Sequence, residues 1–106
     1  MLDVKKEFKS EWEKDKVVYL DKIAGILQAN SFIIFIKGTP EKVKCKFSRK
    51  LVEALNSLNL KYSSMDIMSD LKLKSWLKYF SKWKTYPQVY INGKIIGGVD
   101  VILDLI

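Results

Sequence analysis

The segment 31–36 constrains the fold of this chain more than any other stretch, because a serine is followed there by Phe-Ile-Ile-Phe-Ile. A nearly continuous run of aromatic and β-branched residues is typical of a strand buried on both faces, as in a parallel sheet. Gly38 and Pro40 follow soon after, and proline cannot continue a β-ladder. The run therefore predicts a central strand that ends at a loop.

Hydrophobic periodicity and turn residues outline the other elements. The stretch 11–27 predicts a helix with Val17, Leu20, Ala24 and Leu27 on one stripe. The later predicted elements are a helix over 49–58, a weaker strand over 61–67, a helix capped by Ser69 or Asp70, strands over 85–91 and 94–97 joined by Asn92-Gly93, and a helix from Val99. A parallel crossover followed by an antiparallel hairpin gives an α/β fold, a four-stranded mixed sheet flanked by helices on both faces.

A chain of 106 residues has room for one compact core. Residues 1–14 are charged and are predicted to be an N-terminal extension or linker, whereas residues 15–106 form the folded domain. The predicted C-terminal helix starts only a few residues before Ile106, so we expect it to be cut short. No apolar run approaches the length of a membrane span, and no membrane partner is expected.

Cys45 is the only cysteine, so an intrachain disulfide is excluded and a reducing compartment is the natural environment. The N-terminal segment lacks the apolar core of a signal peptide and carries several acidic residues, which transit peptides avoid. We therefore expect a cytoplasmic protein, or an organellar one if a targeting segment has been removed.

The net charge of +7 raises the question of a nucleic-acid partner. The lysines are spread along the chain, and many alternate with acidic residues or lie on predicted helix surfaces. The sequence has no histidine, no zinc-ligand spacing and no aromatic–basic RNA-binding signature. The charge therefore predicts a solvated, lysine-rich surface and no nucleic-acid partner.

Cys45 lies just before, or in, the first turn of the helix that follows the central strand. The unpaired N–H groups and the dipole at a helix N-terminus favour a thiolate, and cationic neighbours lower the pKa of a cysteine further. Basic residues are frequent around this position: Lys42, Lys44, Lys46, Arg49 and Lys50. The position favours a reactive thiol, and the alternative at this point is a cysteine that packs as a small buried hydrophobe.

Three loops are predicted to meet at one end of the sheet. They are the loop of Cys45, the turn before Val89, and the turn that leads into the last helix. The second contains Tyr86-Pro87, where a cis bond would expose backbone groups to an extended ligand, and an ordinary trans proline is the alternative. The convergence predicts a functional site at that end.

Four separated motifs occur along the chain: Lys37-Gly38-Thr39-Pro40, Cys45-Lys46-Phe47-Ser48, Trp83 with Thr85-Tyr86-Pro87-Gln88, and Gly97-Gly98-Val99-Asp100. In this order and spacing they resemble the monothiol glutaredoxins over residues 15–106. The resemblance implies the thioredoxin fold and a glutathione-binding site. It also implies a homodimer in which two protomers and two glutathione molecules hold a bridging 2Fe-2S cluster.

The resemblance assigns roles to individual residues. Cys45 matches the redox-active thiol that also ligates the cluster iron, and is therefore both the catalytic and the metal-binding candidate. The glutathione-binding candidates are Lys37 and Lys74 for the glycyl carboxylate, Tyr86 and cis-Pro87 for the cysteinyl backbone, and Val99 and Asp100 for the γ-glutamyl end. Cations suit a carboxylate, backbone amides suit a peptide, and Asp100 suits an ammonium group.

This chain departs from the family pattern at four positions. Lys46 replaces the usual glycine after the cysteine, where a long cation could stabilise the thiolate or crowd a cluster. Lys74 replaces the usual arginine, so that a bidentate fork becomes a point charge. Val43 and Lys84 stand where proline is common, which affects the stiffness of two loops.

Three functions are compatible with these residues. The leading hypothesis is a homodimer that carries a glutathione-ligated 2Fe-2S cluster to apo iron–sulfur proteins. The second is a weak glutathione-dependent oxidoreductase, in which Ser48 replaces the resolving cysteine of a dithiol enzyme. The third is a module that binds glutathione without a cluster because of Lys46.

Overall fold

The computed structural model of the chain describes residues 4–104. Its elements are α1 (Val4–Ala29), β1 (Phe32–Ile36), α2 (Lys46–Ser57), β2 (Ser63–Asp66), a 3₁₀ turn (Ile67–Ser69), α3 (Leu71–Ser81), β3 (Gln88–Ile91), β4 (Lys94–Gly97) and α4 (Val99–Asp104). The strands form one sheet in the order β2-β1-β3-β4, with β1 parallel to β2 and the other two pairs antiparallel. The predicted four-stranded mixed sheet is confirmed.

Strand β1 is buried on both faces, as its composition predicts. Side chains alternate between the two faces of a strand, so Ile33 and Phe35 pack with α1 and α3. Ile34 and Ile36 point the other way and pack with α2 and α4. The helices therefore cover both faces of the sheet.

The turn between β3 and β4 fixes the hairpin. Asn92 and Gly93 have φ angles of 50° and 79°, which are the positive values that a type I′ turn needs at both central positions. The predicted Asn-Gly turn and its two strands are confirmed.

The first helix differs from its prediction in length and in its buried face. It begins at Val4, so residues 4–10 are helical, whereas a frayed or linker segment was expected; the division after residue 14 stays a prediction. Ile23 and Leu27 are buried, but Val17 is 71% exposed and Ala24 is exposed too. The face that packs on α3 instead includes Trp12, whose ring centre lies 5.4 Å from that of Trp76, and Tyr19, so Val17 lies on the outer side of the helix.

Two strands, β2 and β3, are also shorter than predicted. Strand β3 begins at Gln88 and not at residue 85, because Pro87 has no N–H to give to a ladder. Strand β2 ends at Asp66, whose carboxylate accepts a hydrogen bond from the N–H of Met68 at 2.8 Å and starts the 3₁₀ turn. Within residues 4–104, no helix combines the length and apolar character needed to cross a membrane.

Candidate functional site

The pairing of the strands brings the predicted site residues other than Lys74, which lies on α3, to one end of the sheet. The last residues of β1 and β2, Ile36 and Asp66, lie opposite each other. The first residue of β3 pairs near the end of β1, and the last residue of β4 pairs near the start of β3. Lys37, the Cys45 loop, Tyr86-Pro87 and the segment 98–100 therefore leave the sheet at the same end, as predicted.

Cys45 is the N-cap residue of α2. Its backbone is extended, with φ −142° and ψ 135°, and its carbonyl accepts the first helical hydrogen bond, from the N–H of Arg49 at 2.9 Å. The thiol is partly exposed, so the alternative of a cysteine packed in the core is wrong. The predicted position at the start of the helix is confirmed.

The pKa of the Cys45 thiol is lowered from its ordinary value of 9.0. The largest cause is the backbone N–H of Ser48, and the N–H of Phe47, the charge of Lys37 and the Ser48 hydroxyl act in the same direction. Partial burial opposes them. The thiolate is therefore favoured by the helix N-terminus first and by one cation second.

That cation is Lys37, whereas the sequence predicted that the basic residues closer to Cys45 would lower the pKa of its thiol. The charged groups of two of these residues contact groups other than the Cys45 thiol. The Lys46 ammonium lies 5.1 Å from the centre of the Phe47 ring, and the Arg49 guanidinium donates to the carbonyl of Val43 at 3.5 Å. The charge at the end of β1 thus acts on the sulfur through the fold and not through sequence proximity.

Ser48 connects the end of β1 to the first turn of α2. Its side chain is fully buried, and its Oγ accepts a hydrogen bond from the backbone N–H of Lys37 at 3.3 Å. The sequence interpretation treated Ser48 only as the residue that replaces a resolving cysteine. A small hydroxyl residue three positions after an N-cap was the available signal, because such a residue can reach a neighbouring strand end.

The loop 38–44 is closed by backbone hydrogen bonds and holds Cys45 in place. The Lys44 N–H donates to the Lys37 carbonyl at 2.9 Å, and the Lys42 N–H donates to the Thr39 carbonyl at 3.0 Å. Gly38 has a φ of 93°, and a Cβ there would lie 2.3 Å from the Lys42 carbonyl oxygen, so glycine is required. These bonds order the loop although Val43 replaces the usual proline.

The bond between Tyr86 and Pro87 is cis. The Tyr86 hydroxyl donates to the backbone carbonyl of Lys74, and the Lys78 ammonium lies 5.8 Å from the centre of the Tyr86 ring. Burial is the main reason that the pKa of the Tyr86 hydroxyl is raised. Tyr86 therefore anchors α3, with Lys74, against the loop before β3.

Two glycines let the start of α4 approach this loop. Gly97 has a φ of 140°, and a Cβ there would lie 2.6 Å from Cγ2 of Val101. A Cβ on Gly98 would lie 3.3 Å from the Pro87 carbonyl oxygen. Val99 is then buried, and Asp100 is exposed in the first turn of α4, where the helix dipole favours an acidic residue.

Comparison of the sequence with known protein families identifies the family to which this site belongs. The family model described as Glutaredoxin matches residues 33–96, which include Cys45, the cis-proline, and all but one residue each of β1 and the hairpin. This chain belongs to the glutaredoxin family. It is 40% identical over 85 residues to Glutaredoxin 3 of Danio rerio, and 38% identical over 86 residues to Monothiol glutaredoxin-4 of Schizosaccharomyces pombe. The single cysteine matches the monothiol type.

These alignments cover 80% and 81% of this glutaredoxin chain but only 26% and 35% of the two relatives. The chain therefore spans about a quarter to a third of their length. Among solved structures, a complex of buckwheat glutaredoxin with glutathione has a TM-score of 0.75 at 21% identity, covering 87% of this chain and 82% of that one. The thioredoxin fold that the motifs implied is confirmed.

Proposed function

We propose that this glutaredoxin binds glutathione beside Cys45, and that two copies of the chain together hold a 2Fe-2S cluster for delivery to apo iron–sulfur proteins. The observation that carries the proposal is the state of Cys45. Its thiol is partly exposed and has a lowered pKa, at the end of the sheet where Lys37, the buried cis-Pro87 and the exposed Asp100 also lie. A thiolate is the form that ligates iron.

The proposed glutathione site uses groups that the fold leaves available. Strand β3 begins at Gln88, so the backbone of Tyr86 lies outside the ladder and is free to pair with an extended peptide. Lys37 and Lys74 supply positive charge for the glycyl carboxylate, with Lys74 as a point charge in place of an arginine fork. Asp100 and the backbone at Val99 are assigned to the γ-glutamyl end.

The cluster is the cargo of this function, and the donor set decides how it is held. Among residues 11–104, whose side chains the structure describes, no three His, Cys, Asp or Glu side chains lie close enough together to hold a metal ion. Cys45 supplies one soft thiolate, whereas a 2Fe-2S cluster takes four ligands. Glutathione and a second chain are the proposed sources of the other three, which makes the homodimer part of the proposal.

Reconstitution without oxygen tests this function. The full chain is mixed with iron, sulfide and glutathione, and we expect a visible charge-transfer spectrum together with the mass of a dimer. The Cys45→Ser variant, or omission of glutathione, should remove both. A wild-type spectrum that persists in Cys45→Ser would contradict the ligand assignment. A spectrum that appears only in Lys46→Gly would favour the cluster-free module, because glycine is the usual family residue at that position.

The lowered pKa of Cys45 also favours a second candidate function, the removal of glutathione from protein mixed disulfides. The Cys45 thiolate would attack the glutathionyl sulfur, and the protein thiolate would leave and take up a proton. A glutathione thiolate would then attack the new Cys45–glutathione disulfide, releasing the Cys45 thiolate and glutathione disulfide. Turnover of a glutathionylated peptide above the Cys45→Ser level supports this route, and turnover equal to that level excludes it.

A further inference from the structure

The positive charge of this chain is concentrated around its thiol. Residues 37–50 contain six basic residues and one acidic residue, a net charge of +5 out of the total of +7. The other 92 residues together contribute only +2. A glutathione carboxylate accounts for Lys37 in this segment. The remaining basic side chains, here called the basic rim, are all exposed: Lys42, Lys44, Lys46, Arg49 and Lys50.

The basic rim is not neutralised within the fold. The two ion pairs among the described residues are Lys22–Asp70 and Lys72–Asp15, and neither belongs to the rim. The first turn of α2 holds no acidic residue. A helix N-terminus is the positive end of the dipole and is stabilised by acids, so Lys46 and Arg49 oppose the local preference of the helix. Arg49 has a hydrogen bond to the Val43 carbonyl and Lys46 a contact with the Phe47 ring, but neither contact neutralises the positive charge.

The rim also includes an exposed aromatic surface. Phe47 is 46% exposed, directly after Cys45 and Lys46, and the Lys46 ammonium lies over its ring. The opposite face of the same helix is buried through Leu51, Val52 and Leu55. An aromatic side chain set among cations is a suitable anchor for a protein surface, since such residues are frequent at the centres of interfaces.

We propose that the basic rim and Phe47 form a docking surface for an acidic, cysteine-bearing segment of a protein partner. The position of the rim next to Cys45 favours a protein partner over a nucleic acid or a lipid surface, because nucleic acids and lipid headgroups offer no sulfur to that thiol. Complementary charge steers a partner to the site and selects among partners. The cysteine requirement rests on the proposed function, whereas the acidic docking stands on the charges alone.

The test separates these two parts by measuring binding without any thiol chemistry. Two short fluorescent peptides, which differ only in having four glutamates or four lysines around a central serine, are titrated with the full chain at about 20 mM and about 200 mM salt. The glutamate peptide should bind more tightly at low salt, and salt should weaken it. Glutathione is titrated in parallel, so that loss of glutathione binding counts against the proposed function and not against the rim.

Two double variants of equal net charge locate the surface. Lys44→Gln with Lys46→Gln should weaken the glutamate peptide about tenfold, since each exposed ion pair contributes a small part. The matched control is Lys61→Gln with Lys94→Gln. These exposed residues precede β2 and begin β4, at the opposite end of the sheet. The control should weaken binding of the glutamate peptide less than about twofold, because Lys61 and Lys94 lie too far from the rim to form ion pairs with the bound peptide.

Three outcomes overturn the proposal. Equal binding of the two peptides removes the charge preference, and an equal loss in both double variants removes the local surface. A single-stranded oligonucleotide that binds more tightly than the glutamate peptide, with the same dependence on Lys44 and Lys46, assigns the rim to nucleic acid instead.

Discussion

The N-termini of α2 and α3 use the same unpaired backbone N–H groups in two different ways. Asp70 precedes α3, and its carboxylate accepts a hydrogen bond from the N–H of Leu73 at 3.0 Å. Cys45 precedes α2 in a similarly extended backbone conformation, and its side chain makes no capping hydrogen bond. In both cases a backbone N–H is the largest cause of a lowered pKa, that of Leu73 for Asp70 and that of Ser48 for Cys45.

The surroundings of the two caps explain their different roles. Asp70 also accepts hydrogen bonds from Lys22 at 2.9 Å and from Tyr19 at 3.5 Å, so its carboxylate joins α1 to α3. The Cys45 thiol is influenced by the Ser48 hydroxyl of its own helix and by the charge of Lys37, and no hydrogen bond joins it to another helix among the described residues. The start of α3 therefore uses its N–H groups for stability. The start of α2 leaves them to a sulfur that is free to react.

The largest expected effect follows from removing the structural cap. We expect Asp70→Ala to lower the free energy of unfolding by about 2 kcal/mol, since a lost N-cap costs about 0.5–2 kcal/mol and the exposed ion pair adds a little. Urea denaturation measures the change. Asp70→Asn is the matched control, because asparagine caps a helix as well as aspartate, and it should lose less than half as much.

The same pair of variants has a defined pH dependence. The pKa of Asp70 is lowered in the folded state, so its ionised form stabilises the fold at pH values above the ordinary 3.8 of this carboxyl. That contribution is lost as the pH falls through the lowered folded value. The difference in stability between wild type and Asp70→Asn should shrink over that acidic range. A constant difference would contradict the assignment of the shift to the folded state.

A smaller effect follows from turning the functional cap into a structural one. Cys45→Asp should raise the free energy of unfolding above that of Cys45→Ala by about 1 kcal/mol, and both variants should lack thiol chemistry. The pKa of Cys45 in the folded state is lowered below its ordinary value of 9.0. The thiolate therefore stabilises the fold fully at pH values above 9.0, and this stabilisation is absent at pH values below the folded pKa. The free energy of unfolding of wild type should therefore increase relative to that of Cys45→Ala as the pH rises from the folded pKa to 9.0. Equal stabilities of the Asp and Ala variants would mean that α2 needs no cap.

The sequence predicted the fold well because its strongest signals were local. The run 31–36, the Asn92-Gly93 turn and the cap at Ser69 or Asp70 each determine the backbone over a few residues; the strand is observed over Phe32–Ile36, the turn is confirmed, and the cap is Asp70. The errors lie where tertiary context decides. Val17 belongs to a regular apolar stripe, yet it is exposed because α1 packs on α3 and the sheet through a neighbouring stripe that includes Tyr19 and Ile23.

The candidate site was predicted in its position but only partly in its interactions. The topology alone placed Cys45 and the cis-proline loop at one end of the sheet. The residues that act on the sulfur were harder to predict, since nearness in sequence favoured the lysines around Cys45. Lys37 and the buried Ser48 act through a contact between β1 and α2, and such a contact is a property of the packed structure.

The smallest effect tests whether the Cys45 cap depends on that contact. We expect Lys37→Gln to move the pH profile of Cys45 alkylation to higher pH, because the charge of Lys37 lowers the pKa of the thiol. The alkylation rate near neutral pH should fall by about twofold, as befits one partly screened charge. Lys61→Gln removes an equal charge from the opposite end of the sheet and should leave the profile in place. If both variants moved it equally, the total charge of the chain, and not the position of Lys37 at the end of β1, would act on the sulfur, and the local causes of the lowered pKa would be the Ser48 and Phe47 N–H groups and the Ser48 hydroxyl.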